Sequence, residues 1–418
     1  MSQRVVITGM GVIAPNAHGL ENFEQALRAG QSGIRHIEKM QELNFACQLA
    51  AVPQGVDELK HQYFSSDALL AMNSSMIYGA IAAMDCWKDA MMPEPTETDW
   101  DTGAIIGTGI SGLDTLGTTL IPKTNAGKVR RLGSTMVEQI MASSSSANIG
   151  GLLGLGGQVT TNSSACTTGT EAIADAFHAI REGRAVRMLA GGTEGASEYS
   201  WAGFDAMRVL SRAYNDTPEK ASRPMSASAA GFVPAAGAGI MMLESLESAQ
   251  NRGAKIYAEV LGAQVNCGGQ RNGGSITFPN PQGVQRCIQQ AIAMAGIEKS
   301  DIDLINGHLT ATMADTAEIG NWHQALGVEA HEMPLINSTK SLIGHALGAA
   351  GGIECVASVL QLAQGFIHGS VNCDDLHPKL EAYANSIVHQ TRDTDAKILA
   401  KASFGFGDVN ACLIFKKY

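Results

Sequence analysis

Short apolar runs alternate along this chain with longer stretches in which apolar residues recur every three or four positions. The short runs predict strands and the periodic stretches predict helices. The predicted strands are Val5–Gly9, Ala104–Gly107, Val159–Ser163, Arg187–Gly191, Gly239–Leu243, Tyr257–Gln264, Leu304–Asn306, Leu335–Ser338, Gly369–Asn372, Ile398–Ser403 and Ala411–Phe415. The predicted helices are Asn22–Ala29, Ser75–Lys88, Glu171–Glu182, Gly283–Ala295, Thr316–Leu326 and Gly352–Gln364. This alternation predicts an α/β protein with mostly parallel sheets that helices cover on both faces.

The order of these elements suggests that the chain is an internal duplication. A first half, residues 1–253, ends with the polar stretch SAQNRG, and a second half covers residues 254–418. In each half a strand leads through a sharp turn with reactive side chains into a helix. Those side chains are Cys166 in the first half and Lys340 with His345 in the second. We therefore expect two βαβ halves of one design.

Composition narrows the class of protein. The 418 residues are 45% hydrophobic and only 5% aromatic, with 47 glycines, as in tightly packed α/β proteins. No apolar run is long enough to span a membrane. The N-terminal MSQRVVITGMGV enters a strand directly and lacks the apolar region of a signal peptide, so a cytoplasmic location is expected. The eight cysteines form no CxxC pair, which disfavours a disulfide framework or a zinc site.

Charge and glycine motifs disfavour nucleotide-based partners. The net charge of −11 argues against nucleic-acid binding. The stretch GTGISG at Gly107–Gly112 superficially suggests a phosphate loop, but it lacks the required context of a GxGxxG motif, because no acidic residue follows at the spacing of a dinucleotide site. We interpret it as close backbone packing beside a pocket.

Cys166 is the first candidate for chemistry, in the sequence TNSSACTTGT. It lies just before the predicted helix Glu171–Glu182, where unpaired N–H groups and the helix dipole stabilise negative charge by up to about 2 kcal/mol. This position predicts a lowered thiol pKa and a reactive thiolate. The alternative is a small buried apolar residue without chemistry.

Two histidines follow predicted strands of the second half. His308 comes after the apolar LING, and His345 lies in STKSLIGHALGAAGG, five residues after Lys340. Open α/β sheets place their sites at the carboxyl ends of strands. A lone histidine there could be a satisfied core residue, but two histidines with a helix-start cysteine form a more specific set.

Motifs along the whole chain resemble the β-ketoacyl-acyl-carrier-protein synthases of the elongating type, within the thiolase-like superfamily. The matching stretches are VVITGMGV, IIGTGISGL, SSACTTG, ASRPMS with GFV, RGAKIYAEVLG, NGHLTAT, NSTKSLIGHALGAAGG and SFGFG. The resemblance implies a thiolase-like fold of two duplicated halves in α-β-α-β-α layers. It also implies decarboxylative Claisen condensation of an acyl group on Cys166 with malonyl-acyl-carrier protein, giving β-ketoacyl-carrier protein.

The resemblance implies roles for particular residues. His308 and His345 would stabilise the enolate, and backbone N–H groups of Cys166 and Phe406 would hold the tetrahedral oxyanion. The remaining implied roles are electrostatic support near His308 and Glu318 by Lys340, a gate by Phe404 and Phe406, pantetheine binding by Thr310 and Thr312, and an acyl pocket at Ile110, Phe204 and Glu138. It implies no metal and no cofactor bound by the protein, because phosphopantetheine arrives on the carrier protein.

Several stretches depart from this family. The segment Ser65–Asn73, where relatives carry a basic cluster, has no lysine or arginine. Carrier docking is therefore expected at other basic residues, namely Lys128, Arg130, Arg131, Arg208 and Arg212. The stretch KVRRLGSTMVEQIM is charged where relatives line the acyl pocket across a dimer interface. These departures favour a specialised polyene or polyketide pathway over a fatty-acid pathway, in a dimer with itself or with a related subunit.

Two other functions remain open at this point. A non-catalytic subunit that shapes a partner's chain length would lack the cysteine, so Cys166, His308, His345 and Lys340 argue against it. A thiolase or a chain-starting synthase using coenzyme A would not match His345 in GHALGAAGG.

Overall fold

Two five-stranded half-sheets that meet edge to edge form the frame of the protein. The computed structural model describes residues 2–418. The strands are β1 (Val5–Ala14), β2 (Ala17–His18), β3 (Ile34–His36), β4 (Leu49–Ala51), β5 (Thr102–Gly107), β6 (Val159–Thr160), β7 (Arg187–Glu194), β8 (Gly237–Ser245), β9 (Ala258–Cys267), β10 (Leu304–Asn306), β11 (Leu335–Asn337), β12 (Phe366–Ile367), β13 (Arg392–Asp393), β14 (Ile398–Gly405) and β15 (Val409–Lys417).

The two half-sheets repeat one topology. The first has the order β1-β8-β7-β5-β6 and the second the order β9-β15-β14-β10-β11. In both, the first strand of the half lies beside the fifth, then the fourth, second and third. The edge strands β1 and β9 pair antiparallel, with Val5 opposite Val260. The predicted duplication of the fold is thus confirmed, whereas a boundary at residue 253 stays a prediction.

Sixteen α-helices occur within residues 2–418. They are α1 (Leu20–Arg28), α2 (Glu38–Glu42), α3 (Val56–Tyr63), α4 (Ser66–Leu69), α5 (Ser74–Asp89), α6 (Leu113–Thr115), α7 (Ile121–Asn125), α8 (Met136–Ile140), α9 (Ser144–Leu152), α10 (Thr168–Arg181), α11 (Glu198–Ala206), α12 (Leu246–Asn251), α13 (Pro281–Ala295), α14 (Ala314–Leu326), α15 (Lys340–Ile343) and α16 (Ala350–Gln364).

The helices complete five layers. The pair α10 and α16 lies between the half-sheets, because each helix contacts strands of both. Helices α5 and α9 cover the outer face of the first half-sheet, and α13 packs on the second with α14 beside it. All six predicted helices occur in the structure within three residues of their predicted ends. The predicted α-β-α-β-α layering is therefore confirmed.

Glycines allow α16 to approach the first half-sheet closely. A Cβ on Gly352 would lie 2.3 Å from the carbonyl oxygen of Gly239 in β8 and 2.8 Å from the nitrogen of Gly192 in β7. A Cβ on Gly169 of α10 would lie 2.5 Å from the nitrogen of Gly352. Backbone therefore packs on backbone between the central helices and the sheet, which fixes the position of the loops before both helices.

Two expectations about the strands were wrong. The sheets are mixed, because β14 and β15 are joined by a turn of three residues, which can connect only antiparallel strands. The predicted strand Gly369–Asn372 is irregular; Ser370 donates one backbone hydrogen bond to Val388, and no strand ladder forms there. In that region only β12 pairs with β13.

No helix within residues 2–418 is both long and apolar enough to cross a membrane.

Candidate active site

Three loops from both halves converge on one chamber. Cys166 lies in the 3-10 turn Ala165–Thr167 between β6 and α10. His308 follows β10, and the loop and short helix after β11 carry Lys340 and His345. Since β6 and β11 occupy the same place in the repeated topology, the two halves use equivalent loops for different side chains.

Each of these loops contains a residue in the left-handed backbone region. Ala165 precedes Cys166 with φ 51°, Leu309 follows His308 with φ 21°, and Leu347 lies two residues after His345 with φ 48°. Residues with a Cβ pay about 1–2 kcal/mol for this conformation. The surrounding contacts must therefore hold the loops in place, as is usual around functional sites.

The sulfur and the two imidazoles are close enough to act on one thioester. Sγ of Cys166 and a ring nitrogen from each of His308 and His345 all lie within 4.8 Å of one another. The two rings are nearly perpendicular, with centroids 5.3 Å apart. The structure thus brings together the three side chains that the sequence singled out.

Neighbouring groups fix the tautomer of both histidines. Nζ of Lys340 lies 3.3 Å from Nδ1 of His308, and the backbone N–H of Leu347 donates to Nδ1 of His345 at 3.3 Å. Burial, followed by the charge of Lys340, lowers the pKa of both imidazoles well below the usual range. Each neutral ring with an acceptor Nδ1 carries its proton on Nε2, as hydrogen-bond donation into the chamber requires.

The same tautomers make the chamber a poor metal site. A Cys–His–His set at these distances could hold zinc only if each imidazole offered a lone pair. Here both Nδ1 atoms face hydrogen-bond donors and both Nε2 atoms carry hydrogen.

The thiol of Cys166 differs from the expectation of a lowered pKa. Burial raises its pKa to about 11, while the charge of Lys340 and the backbone N–H of Phe406 act in the opposite direction. The helix-terminus argument was therefore insufficient, because it left out the cost of removing the thiolate from water. Its neighbours must compensate when the thiolate forms.

Lys340 belongs to a buried ionic cluster that we call the Lys–Glu–Lys cluster. Its Nζ donates to Glu354 of α16, and Nζ of Lys401 on β14 lies 2.9 Å from the other oxygen of Glu354. All three side chains are at most 1% exposed. The ion-pair partner of Lys340 is therefore Glu354, while the charge of Glu318, expected near Lys340, also acts to raise the pKa of Lys340.

Glu318 holds the backbone of the His308 loop. Its carboxylate accepts hydrogen bonds from the N–H groups of His308 at 2.6 Å and Leu309 at 2.8 Å. Burial raises its pKa to about 7. Asp315 does the same one turn earlier, accepting from the N–H groups of Thr310 and Ala311 at 2.8 and 3.1 Å.

Thr310 and Thr312 lie side by side next to this loop. Their hydroxyl oxygens are 3.0 Å apart, with Thr310 buried and Thr312 half-buried. Both hydroxyls are thus available to a polar chain that reaches His308 from outside.

A row of aromatic rings runs from the outer loop to the histidines. Phe406 is 6.3 Å from Phe204, Phe204 is 5.4 Å from Phe232, and Phe232 is 5.2 Å from His345, centroid to centroid. Phe404 is 6.2 Å from His308. Two residues beyond Phe406, Asp408 accepts backbone hydrogen bonds from Gln270 and Asn280, both at 2.7 Å, so this loop is tied to the loop after β9.

The predicted pocket and docking residues are less clustered. Ile110 is 43% exposed, and its N–H donates to the buried Glu194 at 3.1 Å. Glu138 is exposed on α8, so its place in an acyl pocket stays a prediction that requires a second chain. The predicted docking residues are all exposed: Lys128, Arg130, Arg131, Arg208 and Arg212.

Sequence reasoning missed several buried residues of the site. Glu354 interrupts an otherwise apolar helix, Lys401 interrupts the apolar strand ILAKASFG, and Glu194 ends the apolar strand β7. Charged residues in apolar runs are rarely fully buried unless paired, which is the signal that could have identified them. Phe232 lay in a quoted motif, GFV, without a role.

Comparisons with known proteins match the whole chain. Residues 2–249 match the N-terminal domain of the β-ketoacyl synthase family, and residues 257–374 match its C-terminal domain. The chain is 36% identical over 430 residues to 3-oxoacyl-[acyl-carrier-protein] synthase 2 of Rhizobium meliloti, with 100% of this chain and 99% of that protein covered. It is 34% identical over 421 residues to 3-oxoacyl-[acyl-carrier-protein] synthase 1 of Haemophilus influenzae, with 100% and 99% covered.

Solved structures of similar shape are also ketosynthases. The ishigamide ketosynthase/chain length factor matches with a TM-score of 0.90 and 28% identity, and 100% of both chains is covered. A type II PKS ketosynthase in complex with its acyl-carrier protein and bound to the hexaketide (AntDE:AntF) matches with a TM-score of 0.89 and 28% identity, again over 100% of both chains. Together with the Cys–His–His chamber, these matches establish that the chain belongs to the β-ketoacyl synthase family.

Proposed function

We propose that this protein is a condensing enzyme that extends an acyl chain by decarboxylative Claisen condensation with malonyl-acyl-carrier protein. The observation that supports this most directly is the approach of Cys166 Sγ and the ring nitrogens of His308 and His345 to within 4.8 Å. A covalent acyl-cysteine divides one difficult condensation into easier steps.

In the first step, Cys166 takes the acyl group from a carrier-protein thioester. A new Cys166 thioester forms and the carrier leaves as the free thiol. The backbone N–H of Phe406, which contacts Sγ, is the proposed donor to the tetrahedral oxyanion. One such donor typically contributes about 3–4 kcal/mol to the transition state.

In the second step, malonyl on a carrier loses carbon dioxide and leaves an enolate. Nε2–H of His308 and of His345 would donate to the thioester oxygen, where negative charge develops. The enolate carbon attacks the Cys166 thioester. The carbon–sulfur bond breaks, β-ketoacyl-carrier protein forms, and the thiolate takes up a proton.

The remaining residues fit supporting roles in this scheme. Thr310 and Thr312 would hydrogen-bond the phosphopantetheine arm, which the carrier protein brings. Phe406 is half-buried on a loop with glycine on both sides, so it would act as the gate, with Phe404 behind it. Ile110 and Phe204 would line the acyl chain, and Glu138 would reach the pocket of a partner chain in a dimer.

The chain substrate is proposed to be a polyene or polyketide intermediate. Arg130, Arg131 and Glu138 are exposed, and the carbonyl oxygen of Gln139, next to Glu138 in the chain, would lie 2.3 Å from a Cβ on Gly112, two residues from Ile110. A charged group this close to the proposed pocket is a poor neighbour for a long saturated chain. A panel of acyl-carrier proteins with saturated, conjugated and β-keto chains of equal length tests this, and a preference for saturated chains contradicts it.

The test of the function itself is intact-protein mass spectrometry after incubation with acyl-acyl-carrier protein. We expect one acyl adduct on wild type, located at Cys166, and none on Cys166→Ala. An adduct that forms from acyl-coenzyme A but not from the carrier would favour a coenzyme A enzyme. Absence of any adduct would favour a non-catalytic subunit, which the retained Cys166, His308, His345 and Lys340 argue against.

A further inference from the structure

Lys401 is buried without an assigned role. It lies in the middle of β14, between strands β10 and β15, opposite Asn306 and Leu413. Its side chain is 0% exposed, and of the lysines in residues 2–418 only Lys340 is also buried. Burying a lysine charge is expensive unless other groups compensate. The contacts of Lys401 are therefore informative about why the charge is there.

Those contacts lead to the active site. Nζ of Lys401 donates to Oγ of Ser403 at 3.1 Å and to the carbonyl oxygen of Ala402. Ser403 Oγ is 2.8 Å from Oγ1 of Thr170, one turn after Cys166. The contact with Glu354 at 2.9 Å has the geometry of an ion pair rather than a hydrogen bond.

Glu354 is shared by two cations. One carboxylate oxygen accepts from Lys340 and the other faces Lys401, so the fully ionised Lys–Glu–Lys cluster has two positive charges and one negative. The sum is one net positive charge next to His308. Without Lys401, Glu354 would neutralise Lys340 and the sum would be zero.

The electrostatic neighbourhood of the chamber agrees with this sum. The charges of Lys340 and Lys401 both contribute to the lowered pKa of His345 and of His308. For Cys166, Lys340 lowers the pKa and Glu354 raises it. Glu194 also raises the pKa of Cys166. A second lysine on Glu354 would offset the part of this effect that comes from Glu354.

We propose that Lys401 is a positioning residue that, by sharing Glu354 with Lys340, keeps one uncompensated positive charge beside Cys166. This charge favours the Cys166 thiolate and the anionic intermediates that follow. The inference rests on the proposed function, since it concerns the nucleophile of that reaction.

The test is the rate at which iodoacetamide alkylates Cys166, read from its peptide by mass spectrometry between pH 7.5 and 9.5. Below the thiol pKa, each unit of pKa change appears as about a tenfold change in rate. Lys401→Met removes the charge and is expected to slow alkylation by about threefold to tenfold. Glu354→Gln is expected to accelerate it. The double variant, with one net positive charge again, is expected to react close to the wild-type rate.

Matched controls separate charge from packing. Lys397→Met changes an exposed lysine just before β14 and is expected to react as wild type. If Lys401 had only a structural role, all cluster variants would have a lower melting temperature, and their alkylation rates would not follow the net charge of the cluster. The proposal is overturned if Lys401→Met reacts at the wild-type rate, or if the double variant is as slow as Lys401→Met.

Three further outcomes are informative. If Lys401→Met does not fold, Glu354→Gln decides alone, and a rate at or below wild type overturns the proposal. If the alkylation rates do not follow the net charge of the cluster while wild type still takes an acyl group on Cys166, only the proposed role of Lys401 is refuted. If wild type takes no acyl group, the proposed function falls instead.

Discussion

At the scale of single residues, Cys166, His308 and His345 could be identified from the sequence because each follows a predicted strand in a distinctive motif. Their protonation could not be predicted in the same way. Burial raises the thiol pKa to about 11, and the histidine tautomers depend on Lys340 and the Leu347 N–H. These effects arise from neighbours that are distant in the chain.

The histidine roles predict a separation of the two half-reactions. In Cys166→Gln the acyl transfer would be lost, but Nε2–H of His308 and of His345 would still stabilise the enolate. We expect this variant to release carbon dioxide from malonyl-carrier protein without condensation. Adding His308→Ala is expected to slow the release by about a hundredfold or more. Equal rates for the two proteins, measured as carbon dioxide release, would refute the histidine assignment.

Glu194 predicts a specific dependence of stability on pH. Its carboxylate accepts three backbone hydrogen bonds, from Gly109, Ile110 and Gly348, and burial raises its pKa from 4.5 to about 7. The folded protein therefore binds this proton more tightly than the unfolded chain. The resulting stabilisation is complete below pH 4.5 and is lost as the pH rises through about 7.

Glu194→Gln should lack this dependence. We compare the free energy of unfolding of wild type with that of the variant. The difference, wild type minus variant, is expected to fall by about 3 kcal/mol as the pH rises from 4.5 to about 7. Urea denaturation at a series of pH values measures it, with the exposed Glu381→Gln as control. A difference that is constant across the window would show that the carboxyl titrates normally.

At the scale of elements, the pattern of apolar residues predicted the long helices and ten of the eleven proposed strands. It failed where a segment such as Gly369–Asn372 has the composition of a strand but no partner. It also missed the short helices between β5 and β6, whose residues are half-exposed and lack a clear apolar period. Pairing is a tertiary property, so composition alone could not exclude that strand.

The close packing of α16 on β8 predicts opposite effects for two glycine substitutions in helices. Gly352→Ala would place a Cβ 2.3 Å from a backbone oxygen, and we expect a loss of more than about 3 kcal/mol of stability or insoluble protein. Gly320→Ala in α14 meets no atom within 4 Å and should add up to about 1 kcal/mol. Denaturant melts of both variants test this, and a stable Gly352→Ala protein would contradict it.

At the scale of the whole molecule, the net charge of −11 does not indicate where an acidic carrier protein would dock. Arg208 and Arg212 follow α11, whose Phe204 ring lies 6.3 Å from that of Phe406, the proposed gate, whereas Lys128, Arg130 and Arg131 lie in the segment before α8. We therefore expect the first pair to be nearer to the proposed entrance. Which of the two groups of basic residues can bind the carrier protein depends on where the surface loops place them, and not on how many charges the chain carries.

Charge reversal can distinguish these surfaces. We expect Arg208→Glu with Arg212→Glu to raise the KM for acyl-carrier protein about tenfold at low salt, to leave kcat nearly unchanged, and to lose this effect at high salt. Arg184→Glu, exposed at the far end of α10, is the control. If Arg130→Glu with Arg131→Glu raises the KM more than the first pair does, docking takes place on the other surface.

The antiparallel contact between β1 and β9 joins the two half-sheets, and it is therefore the place at which halves of two relatives could be combined. The two halves repeat one strand order, but the first carries Cys166 and the second carries His308 and His345, so neither half holds the whole site. A chimera that combines halves of two relatives would therefore have to preserve the buried ion pair between Lys401 of β14 and Glu354 of α16, in addition to the active-site motifs. In a chimera joined between the two halves, the reactivity of Cys166 would depend on whether this ion pair forms.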